Sequence, residues 1–323
     1  MTRRLGLHSQ QLADWLYAGF DRHVARHHLS GIHAIYAYED GAAETFAAAQ
    51  QQGIACIYDL PIAFYRTSQA IQQEEAARFP QFASALAAAH EPDWKIARKY
   101  QEIHAADRII VPSSFVLESL TCEGITADRI TVIPFGAPID YFQPQPKPDS
   151  TFRALFVGRV GARKGVHYLL QAWQSLHLPQ AELLMIGCNE FPPDWFNQYL
   201  DHICYLPSLP HASLNQYYSR ASVLVLPSLV EGMPLVLLEA MACGIPIITT
   251  RNAAGLDLIT DGIEGFIIPI RDVDALRARL EWCYQHPEQL AEMGRAARSR
   301  AEVLTWARYR DRLLQVIPGV LSS

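Results

Sequence analysis

Short apolar runs rich in β-branched residues recur along this chain, each followed by a stretch with helical spacing. No other feature limits the fold as much. The runs fall at 32–38, 54–58, 108–111 and 130–133 in the first half, and at 152–157, 182–186, 223–226, 246–249 and 266–269 in the second. They are apolar almost throughout rather than alternating, as expected of strands covered on both faces of a parallel sheet. Helical patterns at 41–52, 166–176 and 234–243 lie between them. Strand–helix–strand repetition of this kind predicts an α/β protein with doubly wound parallel sheets.

The seam between the halves is YFQPQPKPDS at 141–150. Its three alternating prolines can continue neither a helix nor a central strand, so they form a stiff connector. This divides the chain into a first domain at 1–145 and a second at 146–305. A last helix at 306–323 carries Trp306, Tyr309, Leu313 and Val316 on one face. With 323 residues the chain can bury two cores. The net charge is −6 and neither half is basic, which argues against sequence-independent nucleic-acid binding.

The six cysteines have no paired spacing and suit buried thiols in a reducing compartment, with Cys188, Cys204 and Cys243 expected in the core. The N-terminus lacks the apolar centre of a signal peptide, and SVLVLPSLV is too short to span a bilayer, so a cytoplasmic protein is expected. The first helix has Leu12, Leu16, Phe20 and Val24 on one side and Arg22, His23, Arg26, His27 and His28 around the other. Packing against the domain is the expected use of its apolar side. Contact with an acceptor or with the inner face of a membrane is the other reading.

Two segments could carry chemistry. The first is GRVGARKG at 158–165, directly after a strand. Its glycines let the backbone turn sharply, three cations crowd six positions, and the helix that follows aims its N-terminal amides at the same place. This suits a diphosphate. It is neither a Walker A loop nor a G-x-G-x-x-G turn; taken alone, the segment also reads as a solvated basic turn.

The second is LPSLVEGMP at 226–234, running into LVLLEAMACGIPIITT. Pro234 suits the start of a helix, and Glu231 lies where exposed amides and the helix dipole favour a carboxylate. Glu239 sits five residues inside that apolar helix, about 7.5 Å along its axis, and needs a partner there. Two carboxylates at different depths could take two sets of hydroxyls on one ligand; one cap and one salt-bridged glutamate is the plainer alternative.

GRVGARKG and EGMPLVLLE, followed by AMACGIPIITT and DGIEGFIIP, closely resemble the donor half of glycosyltransferase family 4. These are retaining enzymes of GT-B fold, with two Rossmann-like domains facing a cleft. The resemblance covers about residues 150–318; ADRIIVPSSF and ITVIPFGAPIDYF extend it weakly into the first domain. It implies that Arg159 and Lys164 hold the diphosphate of a nucleotide-sugar donor. Glu231, with the backbone of Gly232, Met233 and Pro234, would bind the transferred sugar, and Glu239 the ribose. Ser208 and Leu209 would lie nearest the base. The donor would be a co-substrate, no further cofactor or metal would be required, and a glycan, lipid-linked or small-molecule hydroxyl would be the acceptor.

The sequence departs from that family in two places. Where members commonly place a histidine, the strand here reads ACIYDLPIAFYR, which offers Asp59 at a strand end, a place where open α/β sheets bind ligands. A loop cap is the competing role for Asp59. The chain also opens on a helix rather than a strand with a glycine-rich turn, so a first domain shortened at its front is expected. Asp272-Val273-Asp274 reads as a helix cap rather than a metal site. Two other functions fit the same residues: a nucleotide-sugar-binding subunit that needs a partner to turn over, and a GT-B epimerase.

Overall fold

The computed structural model describes residues 3–321. The first half forms a four-stranded sheet from β1 (Ala34–Tyr38), β2 (Ala55–Asp59), β3 (Arg108–Val111) and β4 (Ile130–Val132), in that order across the sheet. The second half contains β5 (Phe152–Val157), β6 (Ala181–Ile186), β7 (Cys204–Leu206), β8 (Val223–Leu226), β9 (Ile247–Thr250) and β10 (Gly265–Ile268), ordered β10-β9-β8-β5-β6-β7. Every strand pair in both sheets is parallel. Both halves are therefore the parallel-sheet α/β units that the apolar runs predict; the second is doubly wound, while the first, with its strands in sequential order, carries its crossover helices on one face. Strand β7 falls outside those runs because a three-residue edge strand pairing only with β6 needs no apolar stretch.

Each sheet has its own core. In the first, Tyr58, Leu60 and Ile109 pack with Phe46, Ile103, Val116 and Leu120 from the helices on one face. The opposite face is covered by the final helix, Trp306–Leu321, whose Tyr309, Leu313, Val316 and Ile317 lie on Ile57, Ile110 and Ile133. In the second, every residue of β5 and β8 is buried.

The halves also exchange side chains. Phe82 and Leu86, which follow the helix Tyr65–Arg78 of the first half, are buried within the second core. Beside them the fully buried Glu75 accepts hydrogen bonds from His167 Nε2 (2.6 Å), Tyr168 Oη (2.9 Å) and Arg271 Nε (2.7 Å) of the second half. A buried carboxylate is tolerable only with such a complement of donors.

Two expectations need correction. Leu12, Leu16 and Phe20 do not pack inward: they are 56, 54 and 67% exposed, with Trp15 beside them at 66%. The helix Arg3–His27 docks through its aspartates instead. Asp21 accepts from the amides of Glu44 (2.8 Å) and Thr45 (2.9 Å) at the start of the helix Ala43–Gln51 and pairs with Arg98. Asp14 pairs with Lys95 at 3.2 Å. The buried Asp21, which needs that cation and those amides, and the half-buried Asp14 decide which face turns inward. The second correction concerns Cys188 and Cys204, which are exposed, on a loop after β6 and at the start of an edge strand; Cys243 is buried.

Candidate functional site

The loop after β5 and the loop after β8 meet at the C-terminal ends of adjacent central strands, the usual place for a ligand in an open α/β sheet. Gly165 makes the approach possible. Its φ is +69°, and a Cβ there would lie 2.1 Å from the Pro227 carbonyl oxygen. Arg163 and Lys164 reach the same carboxylate oxygen across this contact: Glu231 Oε1 lies 2.6 Å from Arg163 Nη1 and 2.6 Å from Lys164 Nζ. Burial pushes the Lys164 ammonium below its ordinary pKa, with Arg163 and Arg159 adding repulsion, while Glu231 pulls it back up. The helix Val166–Gln174 starts at the next residue, with Val166, Leu169, Leu170 and Trp173 buried.

Arg159, on the same loop, turns outward. Its side chain is 72% exposed and contacts Glu190 Oε1 at 3.1 Å. Glu239 lies in the helix Leu235–Ala242, for which Pro234 is the cap. Both of its oxygens are occupied: Oε1 by His211 Nε2 at 2.9 Å and Oε2 by the buried Tyr218 hydroxyl at 2.6 Å. The Tyr141 ring stacks on His211, with centroids 5.6 Å apart. Ser208 is exposed and Leu209 half-buried in the loop after β7.

The first half closes onto this place. Ile62 pairs with Gly232 as an isolated antiparallel bridge, and Ser113 Oγ donates to the Gly232 carbonyl at 2.9 Å. Only glycine fits at 232, because a Cβ would lie 1.8 Å from the Pro61 carbonyl oxygen. Met233 Sδ accepts from the Phe135 amide at 3.2 Å. Asp59, three residues before Ile62, ends β2 with its carboxylate turned to the face beneath the last helix. There it accepts from the Tyr36 hydroxyl, and burial raises its pKa to about 6. The structure thus unites Lys164 and Glu231, brings Gly232 and Met233 against the first half, and sets Glu239, Arg159 and Asp59 each among separate partners.

Three residues of the site were not singled out from sequence: Arg163, Glu190 and His211. Arg163 stood within the quoted motif, but nothing in its spacing ties it to Glu231, 68 positions away. Glu190 follows the C-terminal end of β6, where the strand-end rule could have flagged it. His211 lies two residues beyond Leu209, with no periodic relation to Glu239.

Solved structures with the same arrangement are GT-B glycosyltransferases. Sucrose-phosphate synthase from Thermosynechococcus elongatus superposes with a TM-score of 0.74 over 95% of this chain and 77% of that one, at 20% identity. Anabaena HepE in complex with UDP gives 0.72 over 94% and 82%, at 16% identity. The fold is GT-B. Residues 139–300 match the family described as Glycosyl transferases group 1, and the chain belongs to it. Among curated relatives, the D-inositol 3-phosphate glycosyltransferase of Nocardiopsis dassonvillei is 27% identical over 252 residues, which is 70% of this chain and 59% of that protein. The chain spans about 60% of the length of the curated relatives it matches.

Proposed function

We propose that this chain transfers a sugar from a nucleotide-diphosphate donor to an acceptor hydroxyl, with retention of anomeric configuration and without a metal. The observation that carries the reading is the Glu231 carboxylate held between Arg163 and Lys164 at the head of the helix Val166–Gln174, against Gly232 and the end of the first sheet. Lys164, Arg159 and the helix amides would neutralise the leaving diphosphate, which is the task a metal performs in other transferases. Glu231 Oε2 has no protein partner among the described residues and would take a sugar hydroxyl. Glu239 would take the ribose. The acceptor oxygen bonds to the anomeric carbon on the face from which the diphosphate departs, and its proton passes to a diphosphate oxygen. Pro61 and Ile62, against Gly232, would stand on the acceptor side, whereas the Asp59 carboxylate expected there is buried beneath the last helix and would only hold the strand end in place.

Outward-facing Leu12, Trp15, Leu16 and Phe20, continued by the exposed Arg22 and Arg26, suit peripheral contact with an anionic membrane carrying a lipid-linked acceptor. No helix among the described residues is long and apolar enough to cross a membrane. We place the protein in the cytoplasm, in keeping with its six free cysteines.

A thermal-shift panel of UDP, ADP, GDP and their sugar conjugates tests the donor. A ligand at about 100 times its Kd should stabilise by roughly 2.7 kcal/mol. Transfer should survive EDTA and keep the donor's anomeric configuration. A requirement for Mn²⁺ or Mg²⁺ overturns the metal-free mechanism, and donor binding without transfer favours the partner-dependent subunit.

A further inference from the structure

Glu231 has two cationic partners on one oxygen, and they are not equivalent. Arg163 is bound into the Glu231 loop itself: its Nη1 also donates to the Val230 carbonyl at 3.0 Å, and its own carbonyl accepts from the Leu229 amide at 2.9 Å. Lys164 has no other acceptor among the described residues than Glu231. Its side chain is 12% exposed, that of Glu231 10%.

Accepting the donor reading above, on which this rests, a diphosphate entering beside the helix Val166–Gln174 needs the Lys164 ammonium that Glu231 already holds. Without a second cation, a largely buried carboxylate that gave up Lys164 would be left unpaired and would resist that exchange. We infer that Arg163 is a positioning residue that keeps Glu231 paired, so that Lys164 is free to pass to the incoming diphosphate. Arg163 stays with Glu231 throughout and does not touch the phosphate. Oε2 of Glu231 remains directed by the Arg163 contact on Oε1, so the same residue would hold the carboxylate in place for the sugar.

The exchange reading differs from direct phosphate binding in its dependence on Glu231. Calorimetry with UDP, ADP and GDP identifies the base that binds; that nucleoside diphosphate is then titrated into Arg163→Gln, Arg163→Lys, Glu231→Gln and the Arg163→Gln/Glu231→Gln pair. Arg163→Gln should weaken binding about tenfold, the loss of one charge-assisted contact. Arg163→Lys should stay within about threefold of the parent, because a charge near Glu231 suffices. In the Glu231→Gln background, Arg163→Gln should change affinity less than about twofold, because no carboxylate is left to compete for Lys164. An unaltered affinity in Arg163→Gln overturns the inference, and so does a tenfold loss that persists in the Glu231→Gln background, which would mean that Arg163 contacts the phosphate itself. Should Arg163→Gln alone not fold, Glu231→Gln and the pair, which leave no unpaired carboxylate, carry the same comparison. If the parent protein binds none of the three nucleotides, the donor reading fails first, a result distinct from either of those.

Discussion

Asp59 makes the sharpest prediction, because a candidate functional acid should here weaken the fold that holds it. Its carboxyl is 2% exposed, accepts from Tyr36 and titrates near 6 rather than at its ordinary 3.8, chiefly because burial disfavours the charge. The unfolded chain therefore ionises at Asp59 before the folded one does. The stability that the neutral carboxyl provides is complete below about pH 3.8 and is lost as pH rises through about 6. At roughly 1.4 kcal/mol for each pH unit between those limits, the loss comes to about 3 kcal/mol. Asparagine has the same shape, keeps an oxygen for the Tyr36 hydroxyl and cannot ionise. Asp59→Asn should thus be more stable than the parent by about 3 kcal/mol at pH 8, with the difference shrinking toward pH 4. Urea unfolding followed by far-UV circular dichroism at several pH values measures this directly. A variant no more stable than the parent at pH 8 would refute the burial argument.

Glu75→Ala should cost about 3–5 kcal/mol, because it leaves His167, Tyr168 and Arg271 without their buried acceptor between the two halves; a fall in stability below about 1 kcal/mol would show that the cross-half network is incidental. Glu231→Gln and Glu239→Gln should separate in kinetics. The first should lower kcat while sparing the affinity for bare nucleotide, and the second should weaken bare nucleotide as well as donor, so equal effects on nucleotide binding by calorimetry contradict the assignment of sugar to one and ribose to the other. Arg159→Ala and Lys164→Ala should each weaken nucleoside diphosphate about 10- to 150-fold with the melting temperature little changed, and normal binding by both would remove the diphosphate from this loop.

The parallel-sheet architecture was legible in the sequence because it rests on local pattern. Apolar runs such as FRALFV at 152–157 have nowhere to go but a strand covered on both faces, and helical spacing between them compels parallel pairing. The GRVGARKG and EGMP segments were legible for a similar reason: a loop after a strand end carries its chemistry in consecutive residues. What could not be read there is everything that depends on two distant segments meeting. Arg163 and Glu231, or His211 and Glu239, become partners only when β5 lies beside β8 and the loop after β7 folds over the helix Leu235–Ala242. The first helix shows the same limit from the other side. Its apolar stripe promised packing, yet Asp14 and Asp21 found Lys95, Arg98 and the amides of Glu44 and Thr45, and those pairings turned Leu12, Leu16 and Phe20 to solvent. Periodicity tells which side chains share a face. Which face is buried is settled by the partners that other segments bring to it, and a buried charge left unpaired costs more than an exposed leucine.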